Sequence, residues 1–517
     1  MRKYLAKNIA VDVNSNLDFK KILNKKFRFP KNVKYEISIL RKSIDARKKN
    51  RLKWNFTLIL ETNNVLKTQN DLTEYPAKDF TLTPSQKIKS KNPFIIGAGP
   101  AGLFAALILV ENGFEPYIFE KGEPIDNRIK TVNDFWQKGI LNPKSNVQFG
   151  EGGAGAFSDG KLTARSRNVY AEKVFRYLIK FGADPSIIYE ALPHLGTDGL
   201  HKIVINIRKY LISKGTKFFW NHELDDIQLK GNKIDFVKIN RVKYSPELIF
   251  LAIGNAARNT FKLLSESGIA IQSKPFSVGF RIEHKREFIN KELYGAKTDF
   301  SKVGEASYRL TSKIGNRGVY SFCMCPGGFV VAASSEKKSV VVNGMSYLKR
   351  DNEFSNSAIV CSVGETDFGN QPFSGIEFQK KWENRAFNFE FPYFAPSQKV
   401  ADFMNNNITQ KLPKSSYKPG IYSHNLNEFY TKQIIDSLKI GLKNFDKKIP
   451  GFIKNGNLLG VETRTSSPIR IVRDKENLNS LSAKNLFPIG EGAGYAGGII
   501  SSASDGVKAA SKFLFSK

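Results

Sequence analysis

At 517 residues and 58.1 kDa, with 41% hydrophobic, 12% aromatic and 25% charged residues, the chain has room for two to four domains and is neither disordered nor fibrous in composition. Its three cysteines, Cys323, Cys325 and Cys361, exclude a disulfide framework and point to a reducing, cytoplasmic setting. The outlier is charge: 80 Lys+Arg against 48 Asp+Glu gives +32, a balance that attracts nucleic acid, anionic membrane or anionic substrates. Residues 1–91 hold 22 basic and 8 acidic side chains, and the remainder is thinly spread, as compositional drift of exposed positions toward Lys and Asn would leave it.

The opening MRKYLAKNIAVDVNSN lacks the apolar core of a secretory signal. Residues 1–85 read as a small α/β module, with LDFKKILNKKF spaced as a helix and KYEISILRKSID and LKWNFTLILET patterned as strands, a two-layer unit of ferredoxin-like type. The polar stretch 76–92, PAKDFTLTPSQKIKSKN, reads as a linker and carries the first boundary. PFII then predicts a buried strand, GAGPAG a turn, LFAALILVEN an apolar helix and PYIFE a second strand. The apolar run 94–110 approaches membrane-spanning length, but its glycines and Pro100 fit this soluble βαβ unit, so no transmembrane segment is expected. Further on, AEKVFRYLIKFG and LHKIVINIRKYLISKG predict helices, and the run from TKFFWN through DDIQLKG, NKIDFVKIN and VKYS to ELIFLAIG predicts a β-meander. The mixed, aromatic-rich stretch that follows gives way to LFPIGEGAGYAGGII and a terminal helix in SSASDGVKAASKFLF.

Gly97, Gly99 and Gly102 form G-x-G-x-x-G between a strand and a helix: the first permits a tight turn, the second admits a pyrophosphate, and the third packs helix on strand. With Pro100 and Ala101 they place a helix N-terminus against phosphates. Glu120 ends the second strand, where a carboxylate accepts hydrogen bonds from both hydroxyls of an adenosine ribose, and Lys121 follows it. The spacing indicates a dinucleotide and leaves FAD and NAD open. In GEGGAGAFSDGKL the glycines Gly150, Gly152, Gly153 and Gly155, with Ala154, allow backbone amides to wrap a cofactor, the alternative being a surface loop.

Cys323 and Cys325 stand one residue apart, which on a regular strand points them to opposite faces, so they read as structural. His194, His201, His222, His284 and His424 are acid-base candidates that read first as structural. Arg464 and Arg470 in ETRTSSPIRI are candidate anchors for a substrate carboxylate or phosphate, or members of an interdomain salt bridge. No metal-ligand spacing occurs.

Residues 93–167, with NVQFGEGGAGAFSDGKL at their centre, and the runs FSVGFRIEH, GVYSFCMCPGGFVV, NGMS, GVETRTSSPIRI and GEGAGYAGGI resemble a bacterial family of FAD-dependent dehydrogenases, over nearly the whole chain. LRKSIDARKK resembles that family's N-terminal ferredoxin-like domain. The resemblance implies an α/β fold: a Rossmann-like FAD domain of the glutathione-reductase-related type from 92–273 plus 460–517, with an inserted mixed α+β substrate domain at 274–459. It also implies roles. Gly490 and Glu491 resemble the flavoprotein element whose acid meets the ribityl chain, with Gly497 in the glycine-lined helix start; Gly254 resembles the turn that closes the FAD domain, and Arg128 an arginine that contacts the cofactor. Asn255 stands where the family usually has His, and AFNFEFPYFAP is less Gly-rich than usual; Asn255 is expected to pack near the adenine-ribose side.

The expected protein is an oxidoreductase that holds FAD noncovalently and exchanges hydride between flavin N5 and a small organic substrate. No second nucleotide unit is evident, so electrons would come from transient NAD(P)H, a protein donor or the substrate. A flavin-dependent RNA-modifying enzyme, served by the positive charge, and a nonenzymatic flavin-binding scaffold or sensor are the alternatives.

Overall fold

The computed structural model describes residues 1–30, 32–75, 92–163 and 168–515 and shows a mixed α/β protein. The linker expected at 76–92 lies almost wholly outside the described residues.

At the N-terminus four strands form an antiparallel sheet in the order Glu36–Asp45, Lys53–Thr62, Arg2–Asp12, Leu72–Glu74. One helix, Phe19–Phe27, packs on it, its N-terminus capped by Asp18, whose carboxylate accepts from the Lys21 amide at 2.9 Å. No second helix joins the last two strands, as a complete ferredoxin-like unit would require. The first strand escapes pattern reading because a bulge between Ala6 and Ile9, with Asn8 at φ 53°, shifts the alternation by one residue.

The central sheet has five parallel strands in the order Leu486–Pro488, Ile249–Leu251, Phe94–Ile96, Tyr117–Glu120, Lys217–Trp220. These strands are three or four residues long, and the first three are buried throughout. The meander is thus narrower than expected: only Leu224–Lys230, Lys233–Ile239 and Val242–Tyr244 form it, while TKFFWN and LIFLAIG join the parallel sheet. Helix Pro100–Glu111 is apolar all round because it is covered on all sides, by this sheet and by the C-terminal helix Ile499–Phe515. A methyl group on Gly506 would lie 2.1 Å from the Ala101 carbonyl oxygen, so the two helices meet backbone to backbone there.

A second, seven-stranded sheet runs Thr311–Ile314, Arg317–Cys325, Phe354–Val363, Phe276–Lys285, Asn457–Glu462, Ala395–Lys399, Ile421–Ser423. Its core is aromatic, with Phe280, Phe403, Phe429 and Phe445 essentially inaccessible to water. The strand Asn457–Glu462 belongs wholly to this sheet and so runs across position 460.

The N-terminal unit is fastened to the rest in two ways. Lys42 exchanges backbone hydrogen bonds with Tyr189 and Ala191, at 2.7 and 2.8 Å. A separate apolar cluster joins Leu52 and Ile44 to Ile289, Tyr294, Ala306 and Met324. No helix among the described residues is long and apolar enough to cross a membrane.

Candidate functional site

The C-terminal ends of the parallel strands open onto a cavity of about 2120 Å³, bounded on its far side by the second sheet and the N-terminal unit. Gly97 turns the chain at φ 107°, where a side chain would also strike the Ala252 carbonyl oxygen at 2.4 Å, and a methyl group on Gly102 would lie 2.1 Å from the Gly97 oxygen. Gly99 caps helix Pro100–Glu111 without a side-chain hydrogen bond, leaving the first-turn amides open toward the cavity. Gly99, Pro100 and Ala101 line that cavity; Gly102 is packed behind them.

Glu120 lines the cavity at only 6% exposure, and its carboxylate accepts from the amides of Ala98, Gly122 and Gly150 at 2.8, 2.9 and 2.9 Å. It therefore ties three turns together while one acceptor position stays open. Lys121 pairs with Glu223 at 2.9 Å and covers the Phe149 ring.

Arg128 departs from expectation. It does not line the cavity but lies fully buried beneath the glycine loop, donating to the carbonyls of Asn146, Val147, Gly150, Glu151 and Gly153 at 2.6–3.2 Å. Its donors are consumed in shaping the loop, and burial lowers its pKa to about 10. Alongside it, Glu151 accepts from the Ile125 amide and from Arg208, and burial raises its carboxyl to about 7. A lone arginine on a helix gives no sequence signal that distinguishes such a clamp from a ligand contact. Gly153 and Ala154 line the cavity, with Gly153 against Gly99, whereas Gly152 is backed by Val204 and Ala156.

From the other side come Gly254, Glu491 and Gly497, with Gly490 just behind, where its amide donates to Asp505 at 2.8 Å. Asp505, absent from the sequence expectations, is held by both terminal nitrogens of Arg473 at 2.7 and 2.9 Å. Asn255 does not sit against Glu120: its side-chain amide donates to Glu491 at 2.9 Å. Burial raises the Glu491 carboxyl to about 7, with the Asn255 hydrogen bond opposing the shift.

The other candidates sort by geometry. A bulge between Phe322 and Cys325, with Cys323 at φ 45°, breaks the alternation, so both cysteines line the cavity instead of facing apart. Cys323 is exposed on the cavity wall, whereas Cys325 is buried. Arg464 is an internal tie: it grips Glu383 at 2.9 and 3.1 Å and Ser335 at 2.6 Å, and Arg258 grips the same carboxylate. Arg470 lines the cavity, packed over Tyr495. His194 and His222 line it too but are tied to the carbonyls of Leu348 and Trp220, and His201 and His284 are pushed by burial to about 4. No group of His, Cys, Asp and Glu among the described residues could hold a metal.

A family model described as FAD-dependent protein, C-terminal domain-like, matches residues 275–465. An uncharacterized protein of Clostridium beijerinckii (strain ATCC 51743 / NCIMB 8052) is 42% identical over 525 residues, covering 98% of this chain and 97% of its own. Among solved structures, CtdE in complex with FAD shares 10% identity at a TM-score of 0.32, over 82% of this chain and 84% of its own. CabE, an aromatic hydroxylase from angucycline biosynthesis, shares 10% identity at a TM-score of 0.37, over 82% of this chain and 62% of its own.

Proposed function

The chain belongs to the bacterial family of FAD-dependent proteins, and on that premise we propose that it is an oxidoreductase holding FAD noncovalently in the cavity described above. The observation that carries this reading is the convergence, on one cavity, of the Gly97–Gly102 turn, the glycine loop around Gly153 and the Gly490–Glu491 turn. The cavity fits the group by two tests: its volume exceeds the roughly 300–1,000 Å³ of ordinary ligand sites, and Gly99 faces Gly153 where larger side chains would fill the approach.

The amides of Ala101 and Gly102 would bind the pyrophosphate, and Glu120 would take a ribose hydroxyl with its remaining acceptor position. Lys121 would flank the adenosine end. Glu491, held by Asn255, would meet the ribityl chain near Gly254 and Gly497, while Arg128 would keep the Gly152–Ala154 loop in shape without touching the cofactor. When bound, FAD supplies N5 as the hydride donor and acceptor. The second sheet and the N-terminal unit enclose the other end of the cavity, where a small organic substrate would lie. The parallel sheet supports a domain of the glutathione-reductase-related type, and the N-terminal strand order supports a ferredoxin-like relationship with one helix missing.

The test is the absorbance of the purified protein, alone and after anaerobic addition of NADH and then NADPH. A bound flavin that bleaches identifies a nicotinamide-driven reductase; one that stays yellow identifies a dehydrogenase reduced by its substrate or by a protein donor. Absence of flavin, or full flavin retention by Gly99→Val, refutes the site.

A further inference from the structure

Among the described residues, three that line the cavity carry a buried polar atom with no hydrogen-bond partner: Lys161 Nζ, Arg470 Nε and Ser504 Oγ. The three are not equivalent. A hydroxyl left without a partner is a modest penalty, and the Arg470 guanidinium rests over the Tyr495 ring, 5.1 Å from its centroid. An ammonium can only donate, and Lys161 Nζ is buried without an acceptor although its side chain is 29% exposed along the cavity.

Asp159 forms a long ion pair with Lys161 that offsets part of its charge but satisfies none of its donors. Asp159 Oδ2 stands 3.7 Å away, beyond hydrogen-bond reach, and Asp159 is already engaged by Ser346 at 2.6 Å and by two nitrogens of Arg350 at 2.5 and 3.1 Å. Lys161 is held in place by its backbone, through a bridge to His194 and the neighbouring Leu162-to-Pro193 hydrogen bond at 2.9 Å. Asp159, His194 and Arg350 line the cavity together with Cys323, Cys325 and residues 190–192 and 318–322. The Gly97 turn, the Gly153–Gly155 loop that leads into Lys161, and Glu491 line the same cavity.

We propose that Lys161 anchors the oxygen of a carboxylate or carbonyl on the organic substrate, an assignment that rests on the flavin reading above. The substrate class is then an organic acid or carbonyl compound whose oxygen supplies the acceptor that the protein withholds. Arg350 and Ser346 take the hydrogen-bonding positions of Asp159 that face them, and Asp159 stands beyond hydrogen-bond reach of the ammonium, so the donors of Lys161 stay available for the ligand.

The probes are acetate, crotonate and benzoate, titrated calorimetrically into the flavin-loaded protein beside crotyl alcohol, which lacks the carbonyl oxygens. The expected result is saturable binding of at least one carboxylate and none of the alcohol. Lys161→Met should weaken that binding roughly 10- to 100-fold, and Lys161→Arg should retain most of it, both with unchanged flavin content. Lys161→Gln, which keeps an amide donor, is the second variant and should fall between them. Wild-type carboxylate affinity in Lys161→Met, or no binding by the wild type, would overturn the proposal. So would loss of flavin from a folded Lys161→Met, since the ammonium would then serve the cofactor. A wild type that binds carboxylate but purifies without flavin would sink the flavin reading and leave the anion site standing.

Discussion

Arg128→Met removes the guanidinium that gathers five carbonyls of the 146–153 segment while keeping most of the side-chain volume. Each buried carbonyl left without a donor costs about 1–3 kcal/mol, and removing a desolvated cation returns part of that. The carbonyls of Asn146, Val147 and Glu151 lose the donor this guanidinium supplies, for a net of about 3–5 kcal/mol. This cost falls on the loop, so hydrogen–deuterium exchange of peptides covering 146–155 is the direct assay. Opening should become roughly 100-fold or more easier, with flavin content falling in parallel. Arg128→Lys should be intermediate, because three ammonium donors cannot span the same carbonyls. Unchanged exchange in a folded Met variant would show that the loop holds its shape without the clamp.

Two further perturbations test the electrostatics. Glu491 has its folded pKa raised from 4.5 to about 7, so the folded state binds the extra proton and stability is lost as pH rises through that window. Glu491→Gln should remove this slope and gain about 2 kcal/mol at pH 8 relative to pH 5, discounted for partial exposure; parallel urea-unfolding curves of variant and wild type across that range would contradict it. Glu383→Ala strands the buried guanidinia of Arg258 and Arg464, both 4% exposed, and should cost about 3–5 kcal/mol in urea unfolding; a loss under about 1 kcal/mol would mean that Glu336 and Ser335 suffice as partners.

What the sequence made legible was the part governed by local rules. The strand, turn and helix around Gly97–Gly102 follow from backbone freedom and an apolar run, and the fold has them there. Interruptions of period were illegible: the bulge at Asn8 concealed the first strand, and the bulge before Cys325 turned two cysteines to one cavity. Long-range pairings were illegible too. Nothing near Arg128 announces that its partners lie 18 to 25 residues away, and Arg464 meets Glu383 across 81 positions. The β-meander is shorter than its strand pattern for the same reason, since strand character alone does not say which sheet a strand enters.

Lys42, Ser43, Ile44 and Trp54 of the N-terminal unit form part of the cavity wall, whereas the glycine turns come from the parallel sheet. Two faces of one cavity are thereby drawn from stretches far apart in the polypeptide. Substitutions at Lys42, Ser43, Ile44 or Trp54 can therefore reshape one wall of the cavity while the glycine turns of the parallel sheet keep their geometry.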